Sequence, residues 1–225
     1  MSTVKPTRTG DREAGEGSPA YHHGNLREEL VEQALKLAEE GGLSAVSVRA
    51  AARLAGVSPA APFRHFPDKM TLMTAVAEEA MRRFRAEIAL ALAQEVADDP
   101  MLRIRAIGRA YLDWARRNPT HFEIISSRRS IDFDGSPSLG RENAEIQAQI
   151  EALLLEAAQR GLLRCNDRHL IQIAARALVY GLARMLVDGH FPSWQVADAE
   201  IEGTMAKVLD LFVDGLVKER PRPEP

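Results

Sequence analysis

The short stretch between residues 44 and 69 combines hydroxyl side chains with an excess of cationic over acidic ones. This stretch has a net charge of +3, whereas the full chain of 225 residues has a net charge of -3. Its charged residues are Arg49, Arg53, Arg64, Asp68 and Lys69. Guanidinium, ammonium and hydroxyl groups bind phosphate oxygens, and a guanidinium also pairs with a guanine edge. The stretch therefore has the side chains that contact with a nucleic acid requires.

Two short helices are predicted to position these side chains. Ser47 is suited to cap a helix that ends at Gly56. Ser58 is suited to cap the next helix, which has Pro59 at its first position and ends near Phe66. Because a glycine turn joins the two helices, the pattern from Ser47 to Phe66 is typical of a helix-turn-helix.

A supporting helix precedes this pair. Asn25 is a favourable N-cap, and Glu28 stands at the spacing of a capping box. Apolar residues then recur at helical spacing until Gly41-Gly42, which we expect to stop the helix. The three helices together predict a small DNA-binding domain.

The start of the second short helix is poor in groups that read bases. Its first residues, Pro59, Ala60 and Ala61, offer only apolar contact, which suits thymine methyl groups. Directional base reading must come from elsewhere, and Arg49 is the first candidate, for either a guanine edge or a phosphate. Ser58 is suited to bind a phosphate through its hydroxyl and the adjacent helix N-terminus.

The sequence Val57-Ser-Pro-Ala-Ala-Pro-Phe-Arg-His-Phe-Pro-Asp-Lys69 resembles the recognition helix of the TetR family of bacterial regulators, which typically reads V-S-x-x-x-L-Y-x-H-F-x-x-K. The stretch Tyr21-His-His-Gly-Asn-Leu-Arg27 is similar to the lead-in of one subgroup of that family. The resemblance implies an all-α protein with an N-terminal helix-turn-helix domain and a helical-bundle domain that binds a small molecule and dimerises. It also implies that His65 and Lys69 contact phosphates.

Two positions depart from the family pattern. Phe63 replaces the usual tyrosine, so that a phenol cannot donate to a phosphate and only apolar packing on a sugar or base remains. Pro62 removes one backbone hydrogen bond and disfavours helical geometry at Ala61, which predicts local distortion. Phe66 is interpreted as a core residue of the small domain.

The predicted DNA-binding residues are Ser47, Arg49, Ser58, Pro59, Ala60, Ala61, Phe63, Arg64, His65 and Lys69. For Arg64 and Lys69 the alternative is a solvated surface charge, and for His65 it is a packed histidine at a helix end. His22 and His23 either cap locally or contact the DNA backbone. The implied partner is a double-stranded DNA operator, bound by a homodimer.

Four regions are predicted along the chain. Residues 1–20 form a disordered arm, for which contact with DNA stays an open alternative. Residues 21–67 form the helix-turn-helix domain. Residues 68–219 form the ligand-binding and dimerisation domain, and residues 220–225 form a disordered tail. Within the third region we expect long helices over residues 69–93, 102–117, 141–160, 167–188 and 198–218, with a short helix after Pro119 and a loop over residues 130–140.

Apolar and aromatic residues on these helices predict a pocket for a small, largely apolar effector of unknown identity. Its candidate lining residues are Met81, Phe84, Ile88, Tyr111, Trp114, His121, Phe122, Ile125 and Met185. His121 would supply a polar contact. Plain core packing is the alternative for each of these residues.

The last two helices are predicted to form a dimer interface as a four-helix arrangement, because small residues on the first permit close approach. The candidate interface residues are Ala174, Ala177, Gly181, Met205, Val208 and Phe212. The alternative is that these helices only close the core of one subunit. The segment from Arg176 to Leu182 also resembles a W-x-x-x-H-G signature of one TetR subgroup, with Arg176 and Tyr180 in place of Trp and His.

Other functional classes find little support in the sequence. It has no phosphate-binding glycine loop, nucleophile elbow or metal-ligand spacing, so we expect neither an enzyme nor a cofactor or metal. The lone Cys165 is either an ordinary helix-end residue or a redox sensor. We find no apolar run of ~18 residues, which predicts a cytoplasmic protein without a membrane partner. A helical adaptor without a DNA role stays open, as does the choice between repression and activation.

Overall fold

Side-chain caps fix the starts of most helices in the computed structural model, which describes residues 26–218. The eight α-helices of this part of the chain are α1 (Leu26–Ala45), α2 (Val48–Leu54), α3 (Lys69–Gln94), α4 (Pro100–Arg117), α5 (Pro119–Ser126), α6 (Pro137–Gln159), α7 (Arg168–Val187) and α8 (Ile201–Leu216). The side chains of Ser47, Asp68, Asp99, Ser136 and Asp167 each accept a hydrogen bond from a first-turn amide. The all-α prediction is confirmed.

Several features predicted from the sequence lie outside the described residues, namely the N-terminal arm, the C-terminal tail, His22, His23 and the cap at Asn25. Elsewhere the predicted and observed helix ends agree closely for α3 and α7. The predicted loop over residues 130–140 is shorter than expected, because α6 begins at Pro137 under the cap of Ser136. The last predicted helix begins as a 3₁₀ turn, Asp198–Glu200, before α8.

Two glycines adopt backbone conformations that the turns of the N-terminal region require. Gly42 has a φ of 71° and interrupts α1, although residues 43–45 are still helical. Gly56 has a φ of 67° directly after α2, where other residues would be strained. The predicted breaks at these positions are confirmed.

The second short helix of the predicted pair is not an α-helix. Residues 59 and 60 form a turn, and a 3₁₀ helix follows over Ala61–Arg64. Ser58 does not cap it, because the N-cap is Ala60 and makes no side-chain hydrogen bond. Pro62 explains the difference, since it has no amide hydrogen to donate to the Ser58 carbonyl and disfavours helical geometry at the residue before it. We call Pro59–His65 the recognition turn.

One apolar core extends through the described residues, from Leu30 in α1 to Val213 in α8. The helix α4 lies within it and packs against α3, α6, α7 and α8. A single antiparallel bridge between Leu163 and Val217 fastens the end of α8 to the segment that follows α6.

The helix α7 differs from what the sequence led us to expect. It is long and apolar enough, by length and composition, to cross a membrane, and only 22% of that stretch is buried within the described residues. The core helix of a soluble protein is usually mostly buried, so α7 presents an unusually large apolar surface.

Candidate nucleic-acid interface and effector core

The cap at Ser47 orients α2 for contact. Its Oγ accepts from the amide of Ala50 at 3.1 Å, and the alanines and Val48 of α2 are buried. Arg49 and Arg53 lie one turn apart and are both exposed, so their side chains project from the same side of α2. Arg53 was not among the predicted site residues, although its spacing of four residues from Arg49 is a signal that could have identified it.

The recognition turn exposes mainly apolar and cationic groups. Pro59, Ala60, Arg64 and His65 are exposed, Ala61 is half-buried and the exposed fraction of Phe63 is 41%. Exposed apolar side chains continue on both sides of Phe63, at Leu54 and Met70. In contrast, Phe66 is 1% exposed and fills the core below the turn, as predicted. His65 is therefore not a packed histidine in this structure.

Lys69 has a structural role beside any contact with DNA. Its Nζ donates to the carbonyl of Leu43 at 2.6 Å and so ties the last turn of α1 to the start of α3. Asp68 caps the same helix end through the amide and hydroxyl of Thr71, and these hydrogen bonds lower the pKa of its carboxyl. An ammonium has three donors, so that the bond to Leu43 leaves others available to a phosphate.

Several contacts fix the N-terminal helices to the rest of the molecule. The guanidinium of Arg27 lies 5.5 Å from the centre of the Phe66 ring and pairs with Glu78 of α3. Arg83 of α3 pairs both with Glu32 of α1 and with Glu79. The described part of the α1–α2–recognition turn unit therefore packs directly on the first half of α3.

The predicted effector residues gather in the core. Rings of Phe84, Tyr111, Trp114, Phe122 and Tyr180 form a continuous set of contacts, which we call the aromatic cluster. Its centroid separations are 4.8 Å for Phe84–Trp114, 5.3 Å for Phe84–Tyr111, 6.2 Å for Tyr111–Phe122 and 5.8 Å for Phe122–Tyr180. Met81 and Ile88 are buried, while Ile125 and Met185 are half-buried against the same core.

In this conformation the aromatic cluster is a packed core. Two clefts in the described residues are lined mainly by polar side chains and lie elsewhere. One, of about 560 Å³, lies between α1, α3 and α6, and the other, of about 480 Å³, lies beside the start of α7.

His121 lies on α5 at the edge of this cluster. It is 5% exposed, its ring centroid is 6.2 Å from that of Trp114, and its Nε2 has no hydrogen-bond partner within the described part of the chain. Burial lowers the pKa of its imidazole and nearby Arg83 acts in the same direction, so that both favour the neutral ring. The role of His121 as a polar contact for an effector stays a prediction, and its Nε2 is the atom that would make that contact.

The predicted interface residues do not all face outwards. Ala177 is exposed, and Ala174, Gly181, Val208 and Phe212 are half-buried. Met205 is 2% exposed because its side chain packs inside the subunit, so its assignment to a dimer interface is wrong. Sequence reasoning missed Leu170, Ile173 and Leu211, whose exposed fractions are 56%, 54% and 75%.

An exposed cationic helix beside a short turn, packed against a larger helical core, is the arrangement of a helix-turn-helix protein. Comparison with known proteins agrees. Residues 30–76 match the family described as bacterial regulatory proteins of the TetR family. Residues 104–211 match the family described as Tetracyclin repressor-like, C-terminal domain. The chain belongs to the TetR family and is a DNA-binding transcriptional regulator.

Individual relatives are more distant. The chain is 29% identical over 172 residues to the nucleoid occlusion factor SlmA of Salmonella typhi, covering 74% of this chain and 85% of the relative. A Rhodococcus protein of unknown function is 26% identical, with a TM-score of 0.75, and the match covers 89% of this chain and all of that one. The regulator PfmR of Thermus thermophilus shares the fold at 24% identity, with a TM-score of 0.64 and coverage of 87% and 98%.

Proposed function

We propose that the protein is a homodimeric repressor that binds a palindromic DNA operator and leaves it when a small, largely apolar effector binds. The helix α3 is the observation that carries this proposal. Its first turn is tied to the DNA-binding unit through Lys69, and its middle turns contribute Met81 and Phe84 to the buried core. These points are roughly 22 Å apart along the helix axis.

The effector acts by favouring one of two arrangements of α3. Rings that separate around a ligand displace Phe84, and a rigid helix transmits this displacement to the recognition turn. Two recognition turns of a dimer must match successive major grooves, about 34 Å apart, so that a change in their spacing weakens operator binding. The effector must bind the two arrangements with different affinity, because a ligand that binds both equally does not change their relative populations.

Contact with DNA is divided between two elements in this proposal. Pro59, Ala60, Ala61 and Phe63 supply apolar contact to thymine methyl groups. Arg49, with Arg53, reads a guanine edge or binds phosphate, and the other predicted contacts are phosphate contacts through Ser47, Ser58, Arg64, His65 and Lys69. The exposure of the cations and of the recognition turn supports this division.

A second copy of the chain covers the exposed face of α7. Leu170, Ile173, Ala177 and Gly181 recur at helical spacing, and Leu211 adds an exposed apolar group on α8. Small residues in the stripe permit close helix approach. The division of the chain into a DNA-binding domain over residues 21–67 and an effector and dimer domain over residues 68–219 is part of the same proposal.

Selection of bound sequences from random double-stranded DNA tests the operator. We expect an inverted repeat whose half-sites are thymine-rich and separated by about one helical turn. An enriched sequence without two-fold symmetry would contradict the dimeric mode, and no enrichment even at low salt would instead favour a helical adaptor without a DNA role.

The selected sequence then tests the contact residues by gel shift. The double variant Arg49→Ala/Lys69→Ala should lose retention, because two contacts with the polyanion are removed from each subunit. The matched control is Arg82→Ala/Arg141→Ala, which removes two exposed cations away from the recognition turn. Equal retention of both double variants would show that the assigned contacts are wrong.

A further inference from the structure

We propose that the effector is an organic carboxylate with an apolar body, and that Arg176 binds its carboxylate at the solvent edge of the aromatic cluster. This inference rests on the effector-binding function proposed above and specifies the chemical class of the effector. The supporting features are the contacts of Arg176, the donors around it and the rings behind it.

Arg176 is an exposed residue of α7 whose guanidinium reaches buried rings. Its Nη1 donates to the hydroxyl of Tyr111 at 2.8 Å. Its Cζ lies 5.2 Å from the centre of the Tyr111 ring and 5.4 Å from that of Tyr180. The cation is therefore held at the point where the aromatic cluster meets solvent.

This guanidinium lacks a carboxylate partner among residues 26–218. The other two arginines of α7 each have one, since Arg168 pairs with Glu151 at 2.7 Å and Arg184 pairs with Asp188. The described polar partner of Arg176 is instead the neutral Tyr111, which is 6% exposed. A positive charge without a counter-ion beside a low-dielectric surface attracts an anion more strongly than a solvated charge does.

The polar groups at this edge are mainly donors. A guanidinium has five N–H groups, and one of them is used on Tyr111. The Tyr111 oxygen accepts this bond, which leaves its own hydroxyl hydrogen available. Burial raises the pKa of Tyr111, and the nearby phenol of Tyr180 adds to that effect, whereas Arg176 opposes it. Because the phenol of Tyr111 stays protonated at neutral pH, the site presents an excess of donors, and a carboxylate supplies the missing acceptors.

The apolar body of the ligand follows from the rings behind Arg176. From Tyr180 the aromatic contacts run to Phe122 at 5.8 Å, from Phe122 to Tyr111 at 6.2 Å, and from Tyr111 to Phe84 at 5.3 Å. A molecule whose carboxylate is fixed by Arg176 extends along these rings and reaches Phe84 of α3. The carboxylate of the ligand would thus bind at the Arg176 edge of the aromatic cluster, and its apolar body would act on the opposite edge.

Thermal unfolding of the full chain with matched pairs of ligands tests this proposal. The probes are straight-chain acids from octanoate to hexadecanoate and 1-naphthaleneacetate, each beside its uncharged primary amide. We expect the acids to raise the midpoint of unfolding more than their amides. Titration calorimetry of the most stabilising acid should give binding about tenfold tighter than that of its amide, which is typical of a hydrogen bond to a charged group.

Variants of the same helix identify the residue responsible. Arg176→Gln should bring the acid and its amide to nearly equal affinity, whereas Arg176→Lys should keep part of the preference because the charge remains. Arg168→Gln is the matched control, because it removes a cation from α7 away from the rings, and it should keep the full preference.

Three outcomes would overturn the proposal. These are equal binding of acids and amides by the unchanged protein, an absence of binding by every acid, and a preference that survives in Arg176→Gln. Light scattering adds a fourth, since a monomeric Arg176→Gln would assign the guanidinium to the subunit interface. The random-DNA selection needs no effector, so its result stands or fails separately from these measurements.

Discussion

His121 is a buried residue of α5, and its ionisation depends on charged side chains of α1 and α3. Its ring packs near Trp114, and the surrounding charges are Arg83, Glu32, Glu39 and Glu79. The three carboxylates favour the protonated ring, but burial and Arg83 oppose it and dominate, so that the pKa of His121 lies below its ordinary value of 6.5.

This pKa predicts a loss of stability in mild acid. Well above pH 6.5 neither the folded nor the unfolded state protonates His121 appreciably, and the stability is fully present. As the pH falls below 6.5 the unfolded chain takes up a proton that the folded protein binds less well, so the free energy of unfolding decreases. Urea titrations at about pH 7.5 and about pH 5.5 should show a smaller decrease for His121→Gln than for the unchanged protein.

The control for this measurement is His190→Gln, which changes an exposed histidine after α7. It should follow the unchanged protein at both pH values. An identical acid response in His121→Gln and the unchanged protein would contradict the proposed neutral imidazole.

At the scale of elements, the DNA-binding unit depends on two unusually short pieces of structure. The helix α2 has seven residues, and the recognition turn contains a 3₁₀ helix of four. Helices of this length are not stable alone, so that end groups and packing contacts determine whether they form. The cap at Ser47 and the buried Pro62 and Phe66 supply these contacts.

Removal of the Ser47 cap should therefore affect stability and DNA binding together. Ser47→Ala leaves the Ala50 amide without its acceptor, and we expect the free energy of unfolding to fall by about 1 kcal/mol. Retention of the selected DNA should weaken as α2 frays. Urea denaturation and gel shifts measure the two effects.

Ser47→Thr is the matched variant, because its hydroxyl can still accept from Ala50 and it should retain most of both properties. Unchanged stability in Ser47→Ala would mean that the cap contributes nothing to the domain.

At the scale of the whole molecule, two kinds of surface differ sharply. The surface near the recognition turn combines exposed cations with apolar side chains, whereas the face of α7 exposes Leu170 and Ile173 with little charge between them. A stripe of exposed aliphatic groups on a helix is characteristic of a protein contact surface. The proposed DNA contact and the proposed dimer contact thus lie on separate surfaces, which one continuous core connects.

A charge introduced into the α7 stripe should dissociate the proposed dimer. Leu170→Glu would bring two carboxylates into one apolar interface, which is costly. Light scattering should then report a monomer, and DNA binding should weaken by about 100-fold because the two half-sites are no longer bound by one molecule.

Leu90→Glu is the control for this change, since Leu90 on α3 is exposed to 54% and Leu170 to 56%. It should stay dimeric. A dimer that persists in Leu170→Glu would show that another surface joins the subunits.

The sequence alone determined features that depend on neighbouring residues. Caps at Ser47, Asp68 and Asp167, and the left-handed glycines, act within a few positions of the chain, so the helix ends they set could be predicted closely. The distortion at Pro62 was also foreseen for this reason. The replacement of the α-helix by a 3₁₀ helix was not foreseen. A proline indicates that the helix is disturbed, but the packing of the surrounding residues determines which conformation replaces it.

Tertiary structure decided which faces of the helices meet. Met205 and Leu211 stand on the same helix, yet one is 2% exposed and the other 75%, because α8 turns the first towards its neighbours α4 and α7 and the second towards solvent. Likewise, Arg176 and Tyr111 are 65 positions apart, and no local pattern predicts their hydrogen bond. Amphipathic periodicity identifies an apolar face, but the partner of that face depends on the arrangement of the whole bundle, and the proposed effector and dimer sites depend on that arrangement.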